Sequence, residues 1–126
     1  MPDKKILIID DEADIQKLVT LRLRKAGYEV FSISSGAQAM SAIKAFAPDL
    51  ILLDLRLPHT DGIHICHQVK TDPQHKHIPV IIFTAVNPQS VTERLKDCQA
   101  DDFILKPFRS EDLLARISRC LKRGSF

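Results

Sequence analysis

The sequence predicts an α/β protein of the doubly wound type, a parallel sheet covered by helices on both faces. Two observations carry that prediction. The runs Ile6-Leu7-Ile8-Ile9, Leu50-Ile51-Leu52-Leu53 and Val80-Ile81-Ile82-Phe83 contain no polar residue, which marks strands buried on both faces. Stretches with apolar residues at helical spacing separate them, so that five strand–helix units follow one another. Such alternation implies parallel strands joined by crossover helices.

Each element has its own warrant. Ile6 to Ile9 form the first strand; Ile15, Leu18, Val19, Leu23 and Ala26 then keep a helical period until Gly27 stops it. Residues 28–33 form the second strand, and Ala39, Met40, Ile43 and Ala47 mark a helix closed by Pro48. After the third strand, a loop with Pro58 and Asp61-Gly62 leads into a helix over residues 63–70. The polar segment TDPQHKHIP, with its two prolines, is a loop before the fourth strand. Asn87 is a candidate N-cap with Pro88 at the first helical position, and Val91, Leu95 and Cys98 line that helix. Residues 102–105 form a short fifth strand. Ser110, Glu111 and Asp112 open the last helix, with Leu113, Leu114, Ile117 and Leu121 inward and Lys122-Arg123 at its end. Acid at its start and base at its end both complement the helix dipole.

Composition narrows the function. A chain of 126 residues suits one domain, here residues 1–126 with about 4–123 as the folded core. Net charge is only +2, with one Tyr and no Trp, so neither nucleic acid nor a membrane surface is an expected direct partner. Cys66, Cys98 and Cys120 form no CxxC pair and fall among apolar neighbours, where Cys acts as a small hydrophobe. The start MPDKKILIIDDE turns acidic within ten residues and has no long apolar stretch, which points to a cytoplasmic protein. Only Gly-Ser-Phe follows Lys122-Arg123, so the expectation is a stand-alone regulator or a fragment without its output domain.

Doubly wound folds bind ligands beyond the carboxyl ends of their strands, where strand order reverses. The first strand ends in Asp10-Asp11-Glu12, the third in Asp54, the fourth in Thr84-Ala85, the fifth in Lys106-Pro107. Singly, each has a plain structural reading, such as Asp11 as a helix N-cap. Together they bring carboxylates, a hydroxyl and an ammonium to one edge. Clustered carboxylates repel, so one stays protonated or a cation binds. An all-oxygen site suits a hard divalent ion such as Mg²⁺, with Mn²⁺ the alternative. With the charge neutralised, a carboxylate can attack phosphorus and form an acyl phosphate. Lys106 supplies positive charge to one phosphoryl oxygen, Thr84 a hydroxyl to another, and the small Ala85 leaves room for the group to enter.

The elements IIDDE, LLDLRLPHTDG, IIFTA and FILKPF, in this order, resemble the receiver domain of two-component response regulators over essentially the whole chain. The resemblance implies a flavodoxin-like (βα)5 domain with strand order 2-1-3-4-5. It implies that Asp54 accepts a phosphoryl group from the phosphohistidine of a sensor histidine kinase or histidine phosphotransfer protein. Asp11 and Asp54 would ligate Mg²⁺ directly with the backbone carbonyl of Arg56, and Asp10 through water. Thr84, Ala85 and Lys106 would contact phosphate, Lys106-Pro107 would be cis, and Thr84 with Phe103 would form the switch that reports to an output domain or effector protein.

The stretch ADDFILKPFRSEDLLARISRCLKR looks like regulators that form homodimers through the fourth helix, fifth strand and last helix. Asp102 with Arg116, and Asp101 with Arg123, are candidate pairs across that interface, although Thr92 stands where a base would suit Asp112 and Gln99 replaces a frequent Gly. His59, His64, His67, His75 and His77 lack metal-site spacing and read as solvated surface. Arg56 stands where an aspartate-nucleophile phosphatase would carry its acid. A flavodoxin phosphate loop would not be acidic. The remaining alternative is a pseudo-receiver, an interaction module independent of phosphorylation.

Overall fold

The computed structural model describes residues 4–57, 60–85 and 99–123. Five strands, β1 (Lys5–Ile9), β2 (Glu29–Ile33), β3 (Leu50–Leu53), β4 (Val80–Thr84) and β5 (Asp102–Leu105), form one parallel sheet. Their order is β2-β1-β3-β4-β5, as expected, so the direction of winding reverses between β1 and β3. The helices are α1 (Ala13–Lys25), α2 (Ala39–Phe46), α3 (Gly62–Thr71) and the final helix α4 (Ser110–Arg123). The predicted helix that begins at Asn87-Pro88 and includes Thr92 and Cys98 lies outside the described residues, as do Pro58 and His59.

The unbroken apolar runs are explained by a core on each side of the sheet. Leu7, Ile9, Ile51, Leu53, Val80 and Ile82 face α2 and α3, while Ile6, Ile8, Leu50, Leu52, Ile81 and Phe83 face α1 and α4. Each such side chain contributes roughly 1.5–3 kcal/mol by leaving water, and a strand with two buried faces has no position for a polar residue until it ends. The first polar residues after the apolar runs of β1 and β3 are therefore the ones at the sheet edge, Asp10 and Asp54. Cys66 and Cys120 are buried in the two cores.

Register aligns those strand ends. Ile9 pairs with both Ile33 and Leu53, Leu53 pairs with Ile82, and Thr84 pairs with Leu105. Gly27, at φ 99°, turns the chain after α1 into the left-handed region, where glycine carries no Cβ penalty. Ala47 at φ 52° does the same before Pro48, and Gln99 at φ 62° before β5, both without that freedom.

Three local features differ from expectation. Arg56–Leu57 and Thr60–Asp61 form a short antiparallel ladder within the loop after Asp54. Its last residue, Asp61, caps α3 by accepting a hydrogen bond from the Ile63 amide at 3.0 Å. Asp61→Ala is expected to destabilise the domain by about 1 kcal/mol, read as a lower urea midpoint with an unchanged slope. Secondly, His75 is buried and its Nδ1 lies 2.8 Å from Asp72 Oδ2, so the solvated-surface reading fails for this histidine while His64, His67 and His77 are exposed. It packs inward because the loop turns back on Asp72, whose carbonyl accepts the His75 amide at 3.0 Å. Thirdly, Leu18 keeps the helical period but is 47% exposed, because α1 buries the stripe through Val19 and Leu23.

Candidate functional site

Backbone hydrogen bonds bring the strand ends together. The Asp54 amide donates to Ile9 O at 2.9 Å, the Asp10 amide to Ile33 O at 3.1 Å, and the Lys106 amide to Thr84 O at 2.9 Å. Each carboxylate is then fixed by the turn that follows it. Asp10 Oδ1 accepts the Glu12 amide at 3.0 Å, and Asp54 Oδ1 accepts the Arg56 amide at 3.0 Å. Asp10 is fully buried and Asp54 is 2% exposed.

Lys106 joins them. Its Nζ donates to Asp10 Oδ2 at 2.8 Å, to Asp54 Oδ2 at 3.1 Å and to Glu12 Oε1 at 3.1 Å, and it lies 4.8 Å from the centre of the Phe83 ring. The Lys106-Pro107 bond is cis, as expected. Burial alone would lower the Lys106 pKa, but the bonds to Asp10 and Asp54 overcome it and hold the ammonium above its ordinary range. Asp10 is also shifted up, first by burial and further by the Asp54 charge, against the opposing pull of Lys106 and the Glu12 amide. Both shifts run toward protonation, that of Asp10 mainly because its carboxylate is buried and that of Lys106 because two carboxylates share its ammonium.

Carboxylate oxygens of Asp10, Glu12 and Asp54 lie within 4.8 Å of one another, an arrangement able to hold a metal ion. Such an all-oxygen donor set fits a hard divalent cation. Glu12 joins the cluster by folding back over Lys106, a role the sequence did not single out within Asp10-Asp11-Glu12. Asp11 is exposed beside it and is not a helix cap; the N-cap position of α1 is Glu12, without a side-chain cap bond. Thr84 is buried, Ala85 is exposed just beyond it, and the Arg56 side chain points outward from the short ladder.

Phe103 is half-buried against the α2–α3 side of the core. Its carbonyl accepts Arg116 Nη1 at 2.9 Å, and the same nitrogen donates to Asp102 Oδ1 at 2.7 Å. Asp102 and Arg116 therefore pair with each other inside this chain. Asp101 is likewise held internally, by Lys70 Nζ at 2.7 Å and the Val80 amide at 2.8 Å. Both carboxylates lie at the start of β5, within reach of their own α3 and α4.

A five-stranded doubly wound sheet with a buried aspartate pair and a lysine beyond its strand ends defines a flavodoxin-like class of α/β domain. The chain belongs to the response regulator receiver domain family, whose model matches residues 6–118. The phosphate regulon transcriptional regulatory protein PhoB of Pseudomonas aeruginosa is 40% identical over 123 residues, covering 98% of this chain and 54% of that protein. A probable transcriptional regulator ycf27 of Porphyridium aerugineum is 38% identical, covering 98% and 50%. The chain thus spans about half the length of these curated relatives. The crystal structure of the signal receiver domain of a signal transduction histidine kinase from Syntrophus aciditrophicus superposes with a TM-score of 0.90 at 30% identity, covering 97% of this chain and 92% of that one. Among the described residues no helix is long and apolar enough to cross a membrane.

Proposed function

We propose that this chain, as one receiver domain over residues 1–126, carries a phosphoryl group on Asp54 and passes a signal by doing so. The observation that carries this reading is the imbalance at the sheet edge, where, among the described residues, three carboxylates surround a single ammonium. That charge leaves room for a second cation, and a phosphoryl group is tolerated there only with one.

A carboxylate oxygen of Asp54 attacks the phosphorus of a phosphohistidine donor. The P–O bond of the acyl phosphate forms as the P–N bond breaks, and the imidazole leaves with the bonding pair. Asp11, Asp54 and the Arg56 carbonyl would hold Mg²⁺ or Mn²⁺, with Asp10 acting through water and Glu12 close by. When bound, that ion offsets the negative charge that the phosphoryl oxygens add. Lys106, already 3.1 Å from Asp54, turns its charge to one phosphoryl oxygen, and Thr84 donates to another. Exposed Ala85 leaves the approach open. Thr84, drawn toward the phosphoryl group, would leave space for Phe103 to move inward, which changes the face formed by β5 and α4.

The same reading supplies the partners. A sensor histidine kinase or histidine phosphotransfer protein donates the group. An output domain or effector protein receives the change, with a second copy across the β5–α4 face as a further candidate. Intact mass after incubation with Mg²⁺ and acetyl phosphate tests the proposal. Wild type is expected to gain one phosphoryl group and Asp54→Asn none. No gain by folded wild type would favour an interaction module that works without phosphorylation.

A further inference from the structure

Gln16 stands outside the acidic cluster yet touches the strand that carries it. Its side-chain Nε2 donates to the Asp10 carbonyl and, at 2.8 Å, to the Ile33 carbonyl. The reason lies in where β2 stops. The Asp10 amide still finds a strand partner in Ile33 O, but Ile33 is the last residue of β2 and the chain then turns into the short 3-10 helix Gly36–Gln38. The Asp10 carbonyl points the same way as its amide and so meets no strand amide. A buried carbonyl without a donor is costly, and the Gln16 amide takes the place of the missing strand.

We infer that Gln16 is a positioning residue, which holds the Asp10-Asp11-Glu12 turn in register with Asp54 and thereby sets the site's affinity for a divalent cation without touching the cation. The side-chain type follows from the two bonds. An NH₂ group offers two hydrogens from one nitrogen, and both are used, on the ends of two neighbouring strands. Gln16 reaches them from the first turn of α1, where its own amide donates to Glu12 O at 3.0 Å. It therefore grips the acidic turn from both sides, at the Asp10 carbonyl and at the Glu12 carbonyl. The Glu12 amide in turn fixes Asp10 Oδ1. A loosened turn would let Asp10, Asp11 and Glu12 drift while Asp54, anchored on Ile9, stays in place.

The inference rests on the receiver reading for its cation, so one arm of the test needs no cation. Amide hydrogen exchange is measured on metal-free wild type, Gln16→Met and Gln16→Lys. Methionine keeps the length and removes both donors; lysine restores donors. Exchange at the Asp10 and Glu12 amides is expected to be at least about 10-fold faster in Gln16→Met, with β3 and β4 amides unchanged, and slower again in Gln16→Lys. Mg²⁺ titration by calorimetry is expected to show an affinity weaker by roughly 10-fold in Gln16→Met, as for other groups that support metal ligands from behind. Uniformly faster exchange across the sheet, or unchanged exchange at Asp10 and Glu12, would overturn the inference. So would local loosening with an unchanged Mg²⁺ affinity. Wild type that binds no Mg²⁺ would refute the cation part of the inference together with the receiver reading, while the exchange arm still decides whether Gln16 holds the turn.

Discussion

Lys106→Met is expected to destabilise the metal-free domain by about 3 kcal/mol near pH 7.5, because it leaves buried charge without its partner. Lys106 and Asp10 have side chains only 8% and 0% exposed, and Asp54 shares the same ammonium at 3.1 Å. Removing the ammonium leaves burial and the Asp54 charge to act on Asp10 unopposed except by the Glu12 amide, so its pKa rises further. The sign follows from proton linkage. A carboxyl group whose folded pKa lies above its unfolded one binds protons more tightly when folded, so the fold loses stability as pH rises through that window. The deficit of Lys106→Met relative to wild type should therefore shrink as pH falls and the buried acid takes up its proton. It should also shrink when Mg²⁺ is added at neutral pH. Urea denaturation in EDTA across pH, and then with Mg²⁺, measures both effects. A deficit independent of pH and Mg²⁺ would mean that Lys106 acts through packing against Phe83. Phosphorylation by acetyl phosphate should fall by at least about 10²-fold, the usual loss when one charge-stabilising donor is removed.

Gly62→Ala should be nearly as damaging for a steric reason. A Cβ on Gly62 would sit 2.7 Å from Asp54 O and 2.7 Å from Leu55 Cα. Both obstacles are backbone, so no side chain can swing aside. Either the start of α3 retreats or the segment after Asp54 moves. Overpacking of this kind costs about 1–3 kcal/mol. The larger effect concerns geometry: a shift of about 1 Å at an attacking group lowers rates on the order of 10²-fold. The expected result is a modest fall in urea midpoint with a disproportionate fall in the rate of Asp54 phosphorylation. A stability loss with an unchanged rate would show that α3 alone absorbs the clash.

The gross architecture was legible because periodicity reports burial. Three short, β-branched-rich apolar runs without alternation read as strands covered on both sides, which puts the polar residues that end them at the sheet edge. Asp10, Asp54 and Thr84 were found that way, and Lys106 by its place just after the short fifth strand. Gly27 and the acidic opening of the final helix were equally plain, since both act through local backbone chemistry. Other features have no local signal. Nothing in the sequence around His75 distinguishes it from His77, because its burial depends on how one loop folds back. The bond between Asp102 and Arg116 inside one chain has no local signal either, since residues 14 apart in sequence become neighbours only through this fold.

Residue order by itself determined the class of fold, the strand ends and the kinds of chemical group placed there, since these depend on hydrophobic period and on residues a few positions apart. Tertiary structure alone decided that Lys106 lies between Asp10 and Asp54, 96 and 52 residues away. It also decided that Glu12 folds over that lysine while Asp11 stays exposed, and that Gln16 completes the hydrogen bonding where β2 runs out. The physical reason is the same in each case. Strand register and the side-to-side packing of helices set these distances, and a sequence records which groups are available without recording the angles at which the chain returns them to one another.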